Sequence, residues 1–183
     1  MRPHWARGVV VLAATGAVLG SLLDGIHTHT GVTAYTHPVF WRMAWWTPLI
    51  FAGAYAAGVS RPYLERRLGR PRPAPSLAIV LLGMGLFIAA YALSGVDWPW
   101  TTRAAILTTV FAVAWLACDR TLLGLGISLA VAVLGPLSES ALVHAGTFVH
   151  LRPVYLGVSG WLPCLYLTAG IGLQGRGKWL VDG

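Results

Sequence analysis

The sequence is poor in charge. Only 10% of its 183 residues are Asp, Glu, Lys or Arg, against roughly 25% in a soluble domain. A globule of this size cannot cover its surface with so few charged groups, which excludes a soluble enzyme and a disordered tail protein. Cysteine is nearly absent too. Cys118 and Cys164 lie in or beside apolar stretches, so neither a disulfide framework nor a Cys-x-x-Cys metal site is suggested. The period-two alternation of a membrane β-barrel is missing, and no repeat of the kind that marks inverted-repeat transporters is evident.

What the chain has is apolar length. Hydrophobic residues make up 56%, and the mean hydropathy is +0.68. A helix needs about 20 apolar residues to cross a bilayer, and six runs qualify: 5–23, 43–59, 76–94, 101–118, 121–143 and 154–173. The first is too long for a signal-peptide core and no small-x-small cleavage site precedes Asp24, so it is kept as a helix. The longest piece between runs, 24–42, is too short for a soluble domain. The expectation is an all-α membrane protein, a six-transmembrane-helix bundle forming a single domain over residues 1–183.

Charge sets the orientation. The net charge is +7, but the basic residues are dispersed among loops, so nucleic acid is not an expected partner. With both termini inside, ten basic residues fall on inner pieces: Arg2, Arg7, Arg61, Arg66, Arg67, Arg70, Arg72, Arg120, Arg176 and Lys178. Only Arg42, Arg103 and Arg152 fall outside. This positive-inside bias predicts cytoplasmic termini. The densest run, from Arg61 to Arg72, reads as an inner loop beside anionic headgroups. The dominance of Arg over Lys, with abundant Ala, Gly and Val, points to a GC-rich bacterial source and hence a bacterial plasma membrane. Most tryptophans lie near run ends, as interfacial anchors do. Glycines such as Gly83, Gly124 and Gly170 permit close helix packing.

Few residues suggest chemistry. Glu139 is the one acid well inside an apolar run, and intramembrane carboxylates face a bundle interior or a wet cavity. It reads as an anchor for a ligand headgroup, a helix–helix hydrogen bond or a group snorkelling to the interface. Pro136, one turn earlier, removes a backbone donor. Histidines 27, 29, 37, 144 and 150 gather on the outer side. A metal site from His27, His29, Asp24 and Glu139 is conceivable in ligand type, but no second spaced pair supports it, and no metal or cofactor is expected. Gly157-Val-Ser159-Gly160 resembles the serine motif of rhomboid intramembrane proteases, and Trp41-Arg42 their first-loop pair. A serine nucleophile needs a base within hydrogen-bond reach, and no histidine follows Ser159; His150 or His144, which precede it, could substitute only by a different architecture. Catalysis by Ser159 is therefore not expected.

One stretch is more specific. Trp115-Leu-Ala-Cys-Asp119-Arg120-Thr-Leu-Leu-Gly124-Leu-Gly126-Ile127, followed by Trp161-Leu-Pro163-Cys164, resembles the insulin-induced gene (Insig) family of membrane sterol regulators. Arg7-Gly-Val-Val and Ala44-Trp45-Trp46 with Pro48 extend the likeness over nearly the whole chain. The resemblance implies a non-enzymatic six-helix protein that binds a hydroxyl-bearing lipid and retains membrane-protein partners. It implies sterol-side contacts at Trp115, near Phe87 and at Thr102, where the family has glutamine. It implies a partner contact at Asp119, beside Arg120. The residues alone also allow Asp119 to cap the following helix or to form a surface ion pair with Arg120. The first loop and Glu139 depart from the family. The expected ligand is a neutral lipid, diacylglycerol-like or sterol-like. A membrane-protein partner and a second copy of the chain are the expected protein partners. The rival is a small membrane-embedded enzyme or carrier using Glu139 and the outer histidines.

Overall fold

The computed structural model describes residues 4–183, and Arg2, counted above among the inner basic residues, lies outside them. The chain is mostly helix. Helix α1 (Trp5–Thr15) passes through a π-helical stretch, Gly16–Gly20, into α2 (Ser21–His29), making one continuous rod. Strand β1 (Thr33–Tyr35) follows. Helix α3 (Thr47–Ala56) then continues through a 3-10 turn, Ala57–Val59, into α4 (Ser60–Arg67). Next come α5 (Leu77–Ser94), α6 (Trp100–Cys118), α7 (Leu122–His144), β2 (Phe148–His150) and α8 (Leu162–Asp182). By length and hydropathy, four helical segments qualify as membrane spans: Trp5–His29, Leu77–Ser94, Trp100–Cys118 and Leu122–His144. Their outer faces are apolar and exposed, as at Leu81, Leu134 and Leu122, which suits lipid as the surrounding solvent.

Three boundaries differ from the sequence reading, each because polar residues point inward. The first helix runs on to His29 because Asp24 and His27 are buried and find partners inside the protein. The basic segment placed in a loop is partly helix α4, whose Arg61 and Glu65 are buried. The last helix starts at Leu162 and ends at Asp182, with Gln174 and Lys178 buried in its second half. Helix α7 runs unbroken through Pro136.

Strands β1 and β2 pair antiparallel, Thr33 with His150, Ala34 with Val149 and Tyr35 with Phe148. Beyond each strand a two-residue turn closes a bridge, Phe40 to Met43 and Tyr155 to Val158. Trp41, Arg42, Leu156 and Gly157 hold the positive φ that such turns require. Each turn leads into a helix with Pro in its first turn, where the lost N–H costs nothing.

These parallels form an internal repeat. The strand opens at Thr33 and Phe148, the turn at Phe40 and Tyr155 and the helix at Thr47 and Leu162, a constant offset of 115 residues. Residues 5–67 and 120–182 are thus two helix–strand–turn–helix units, with α5 and α6 inserted between them. Ala34 pairs with its own equivalent, Val149, which places a pseudo-two-fold axis through the ribbon. The repeat escaped the sequence reading because its 115-residue offset is long and its identities are scattered, among them Ala17-Val18-Leu19-Gly20 with Ala132-Val133-Leu134-Gly135, His29/His144, Pro38/Pro153, Val39/Val154, Trp46/Trp161, Pro48/Pro163 and Arg61/Arg176.

Helix α8 is the hub. It packs against α5, α6 and α7 and against α1 and α4. The main core joins Leu12, Tyr55, Phe87 and Tyr91 to Trp161, Leu165 and Leu173. The start of α1 meets the end of α8, His4 N donating to Val181 O at 2.9 Å, at the same end of the bundle as α4. The β-ribbon closes the opposite end.

Candidate functional site

Buried polar groups concentrate at the two ends. At the α4 end, Arg61 donates from Nε to Glu65 Oε1 at 3.0 Å and from Nη2 to Asp119 Oδ1 at 2.7 Å. Lys178 Nζ reaches Glu65 Oε2 at 2.5 Å and Asp182 Oδ2 at 2.9 Å. The Arg72 backbone N–H adds a bond to Glu65 Oε2 at 3.1 Å. Burial pushes the Glu65 carboxyl up, but its bonds from Lys178, Arg61 and Arg72 outweigh burial and hold it below the usual carboxylate range. Burial alone would lower Arg61, and the Asp119 and Glu65 carboxylates raise it. A cavity of about 430 Å³ opens beside this network, lined by Arg61, Arg72, Pro75, Cys118, Asp119 and Lys178.

Asp119 does not cap the next helix. Thr121 does, its Oγ1 accepting from Gly124 N at 2.9 Å. Asp119 Oδ1 instead accepts from Thr121 Oγ1 at 2.8 Å as well as from Arg61. Nor does Asp119 pair with Arg120, which is exposed and turns its Nε back to Leu116 O. Trp115 is half-buried at this end and donates from Nε1 to Thr121 O at 3.2 Å.

At the β end the polar groups are more numerous than the sequence reading allowed, which counted Glu139 alone as membrane-buried. Asp24, equivalent to Glu139 in the repeat, accepts from Tyr35 OH at 2.8 Å. His27 sits 2.8 Å from Ser94 Oγ, which itself donates to Tyr91 O, and His27 stacks on Tyr91. Glu139 accepts from Tyr166 OH at 2.6 Å and meets His150 Nε2 at 2.9 Å. The other ring nitrogen of His150, Nδ1, lies 3.1 Å from Ser159 Oγ. Among the described residues no group of three His, Cys, Asp or Glu is placed to hold a metal.

The four lipid candidates are not brought together. Trp115 lies at the α4 end and Glu139 at the β end. Phe87 is buried in the main core against Tyr55 and Tyr91. Thr102 is exposed on the first turn of α6, 13 residues or about 20 Å from Trp115 at the helical rise. The core holds polar atoms the sequence reading missed. Tyr55 OH, Thr168 Oγ1 and Gln174 Oε1 are buried without a hydrogen-bond partner among the described residues. Gln174 was legible as a polar residue beyond the last apolar run. Its burial follows from the extra turns of α8.

No family model matches the chain. Individual relatives do. The insulin-induced gene 1 protein of Danio rerio is 28% identical over 181 residues, covering 95% of this chain and 72% of that protein. The Bos taurus protein of the same name is 26% identical over 187 residues, covering 98% and 68%. Among solved structures, the mycobacterial Insig homologue MvINS of Mycobacterium vanbaalenii superposes with a TM-score of 0.83 at 26% identity, covering 97% of this chain and 95% of that one. A second structure of MvINS is a cross-linked trimer of a cysteine variant. By sequence along nearly its whole length, and by fold, the chain is homologous to the Insig proteins.

Proposed function

We propose that the protein is a six-pass membrane protein with cytoplasmic termini that holds a neutral, hydroxyl-bearing lipid, diacylglycerol-like or sterol-like, within the bundle. Its primary role in this reading is binding and regulation rather than turnover. The observation that carries it is the set of partnerless polar atoms at Tyr55, Thr168 and Gln174, inside the bundle, where Tyr55 adjoins the apolar cluster around Phe87. A buried polar group without a partner costs about 1–3 kcal/mol. A lipid hydroxyl donating to Gln174 Oε1 removes that cost, and in this reading the acyl or ring surface displaces packing around Phe87. Trp115 and Glu139 serve as contacts at the two ends of a long ligand, and Thr102 as a contact at its exposed rim. A bacterial plasma membrane as location makes diacylglycerol the first choice.

Partners follow from the α4 end. Arg120 is exposed there and offers a membrane-protein partner its charge, while Asp119 orders the surface behind it through Arg61. Self-association is the second partner proposal, since the related MvINS has been captured as a trimer. The test is lipid extraction from purified protein with mass spectrometry, then titration of delipidated protein with fluorescent diacylglycerol and sterol. Saturable, competable binding weakened by Gln174→Leu and Trp115→Ala is expected. Absence of both binding and near-stoichiometric co-purified lipid overturns the reading.

A second reading, a small membrane-embedded enzyme, is favoured by one observation. Glu139, His150 and Ser159 are hydrogen-bonded in series.

A further inference from the structure

We propose that Ser159 is a nucleophile activated by His150 and Glu139, and that the β end of the bundle hydrolyses short-chain carboxylic esters. The proposal rests on the second reading above and is independent of lipid binding in the core.

The geometry comes first. His150 stands on β2, Glu139 on α7 and Ser159 in the turn that opens α8, so three separate elements converge. The Ser–His and His–Glu separations are 3.1 and 2.9 Å, within the reach a nucleophile–base–orienter series needs. In the proposed resting state Glu139 is a carboxylate and His150 a neutral ring, which sets the tautomer. A carboxylate only accepts, so His150 Nε2 carries the proton and donates to Glu139. Nδ1 of the neutral ring is therefore bare, and Ser159 Oγ–H donates to it. That is the arrangement in which a histidine removes a serine proton. Tyr166 OH, donating to the other Glu139 oxygen at 2.6 Å, holds the carboxylate in place. His150 precedes the serine by nine residues and arrives on a strand that the apolar pattern does not reveal, the different architecture that the sequence left open.

The fold itself does not require this series. The internal repeat supplies a comparison within one molecule. At the positions equivalent to His150, Ser159 and Tyr166 the first unit has Tyr35, Ala44 and Phe51. Tyr35 makes the equivalent bond to Asp24, and the chain continues from there with Ala44 buried and no hydroxyl. The same scaffold therefore closes with an acid and its donor alone. The serine and the base that faces it are additions confined to the second unit.

An entrance and a positive charge adjoin the serine. Ser159 lines a cavity of about 70 Å³ together with Thr30, Gly95, Asp97, Arg103 and Arg152. Arg103 is 6% exposed and donates only to carbonyls, Trp98 O at 2.9 Å and Ser94 O at 3.2 Å, with its guanidinium over the Trp161 ring. It forms no salt bridge with any described carboxylate. Buried charges are ordinarily paired, so this one is free to stabilise an anion that forms during reaction. A cavity of this size holds more than one water, which takes an acetyl-sized acyl group and leaves the alcohol part outside.

The chemistry balances without a further reagent than water. Ser159 Oγ adds to the ester carbonyl carbon as its proton passes to His150 Nδ1, and the resulting oxyanion faces Arg103. The C–O bond to the alcohol breaks, and the leaving oxygen takes the proton from His150. Water then adds to the acyl carbon, giving a proton to His150. The Oγ–C bond breaks, Ser159 recovers the proton, and the products are a carboxylic acid and an alcohol.

The test uses the purified full chain in detergent with a small alkyl fluorophosphonate and, separately, p-nitrophenyl acetate. Expected is a single adduct located on Ser159 by peptide mass spectrometry, ahead of the exposed Ser138, and hydrolysis lost in Ser159→Ala. His150→Gln should slow both by about 100-fold or more, and Glu139→Gln should slow them to a smaller degree. Thermal unfolding and lipid titration of each variant report folding separately, and should a variant unfold, the site of the wild-type adduct decides alone. No adduct on Ser159, or a rate equal in folded His150→Gln, overturns the proposal. Saturable lipid binding in the same preparation then leaves the binding function standing, whereas failure of the lipid titration with Ser159 labelled overturns that function alone.

Discussion

Arg61 and Asp119 meet at 2.7 Å across 58 positions of sequence, with side chains only 8% and 3% exposed. The pair joins α4 to the turn between α6 and α7. It also links two motifs that read separately in the sequence, a basic loop and an Asp-Arg turn. Because Glu65 and Lys178 continue the chain of charges, the α4 end is one network, and the Asp-Arg turn is held by helices from both repeat units.

The first prediction concerns Asp119. A capping aspartate would be replaced well by asparagine, which caps about equally. An aspartate in a buried ion pair would not. Asp119→Asn and Asp119→Ala should both destabilise, by about 3 kcal/mol when a buried partner is left uncompensated. Thr121→Ala, which removes the actual cap, should cost about 1 kcal/mol. Thermal unfolding in detergent checks this, and full stability of Asp119→Asn would sink it.

A second prediction follows from Glu65. Its folded pKa lies below the ordinary value of 4.5, so the unfolded chain takes up the proton first as pH falls. The stabilisation is therefore complete above about pH 5 and is lost progressively as pH drops through the folded value. Unfolding temperature should fall steeply below pH ~4, and Glu65→Gln should flatten that slope while lowering stability at neutral pH. An unchanged acid slope in Glu65→Gln refutes the assignment.

What the sequence made legible depended on which solvent faced each residue. Residues facing lipid are apolar whatever their partners, so the runs around Leu81, Val113 and Leu134 marked α5, α6 and α7 closely. Polar residues facing the protein interior look the same in sequence as polar residues facing water. Asp24, His27, Arg61, Glu65 and Lys178 were therefore read as loop or interface, and the ends of α2, α4 and α8 were misplaced with them. Tyr35, Ser94 and Asp119, the partners of Asp24, His27 and Arg61, and Lys178, the partner of Glu65, lie on other elements that no local pattern connects. His150 and Ser159 were both noticed, but only the β1–β2 pairing and the Tyr155–Val158 turn set one against the other.

Glycine spacing gives a third prediction, because one substitution should act with opposite signs at two sites. A Cβ at Gly170 would lie 2.8 Å from Ser128 Cα and 2.9 Å from Ser128 Cβ, so Gly170→Ala must push α8 from α7. The expected cost is about 1–3 kcal/mol. A Cβ at Gly126 meets nothing within 4 Å. Gly126→Ala should be neutral or stabilise by up to about 1 kcal/mol through helix propensity. Equal effects of the two on unfolding would show that the α7–α8 contact is looser than this.

The last prediction is orientation. The start of α1, the end of α8 and α4 share one end of the bundle, and Arg61, Arg66, Arg67, Arg70 and Arg72 gather there, while Arg42, Arg103 and Arg152 belong to the β end. Basic residues near membrane-spanning ends are retained on the cytoplasmic side, and the anionic inner leaflet attracts them further. Leu68 is 59% exposed at the α4 end and Val39 is 69% exposed at the β end, so cysteine at either is open to reagent. In a background with Cys118 and Cys164 replaced, Val39→Cys should react with an impermeant maleimide on intact cells. Leu68→Cys should react only after permeabilisation. Reversal of the two would invert the topology and move the Glu139–His150–Ser159 series to the cytoplasmic face. Reaction of both on intact cells would instead place the α4 end and the β end on one side and sink the six-pass reading.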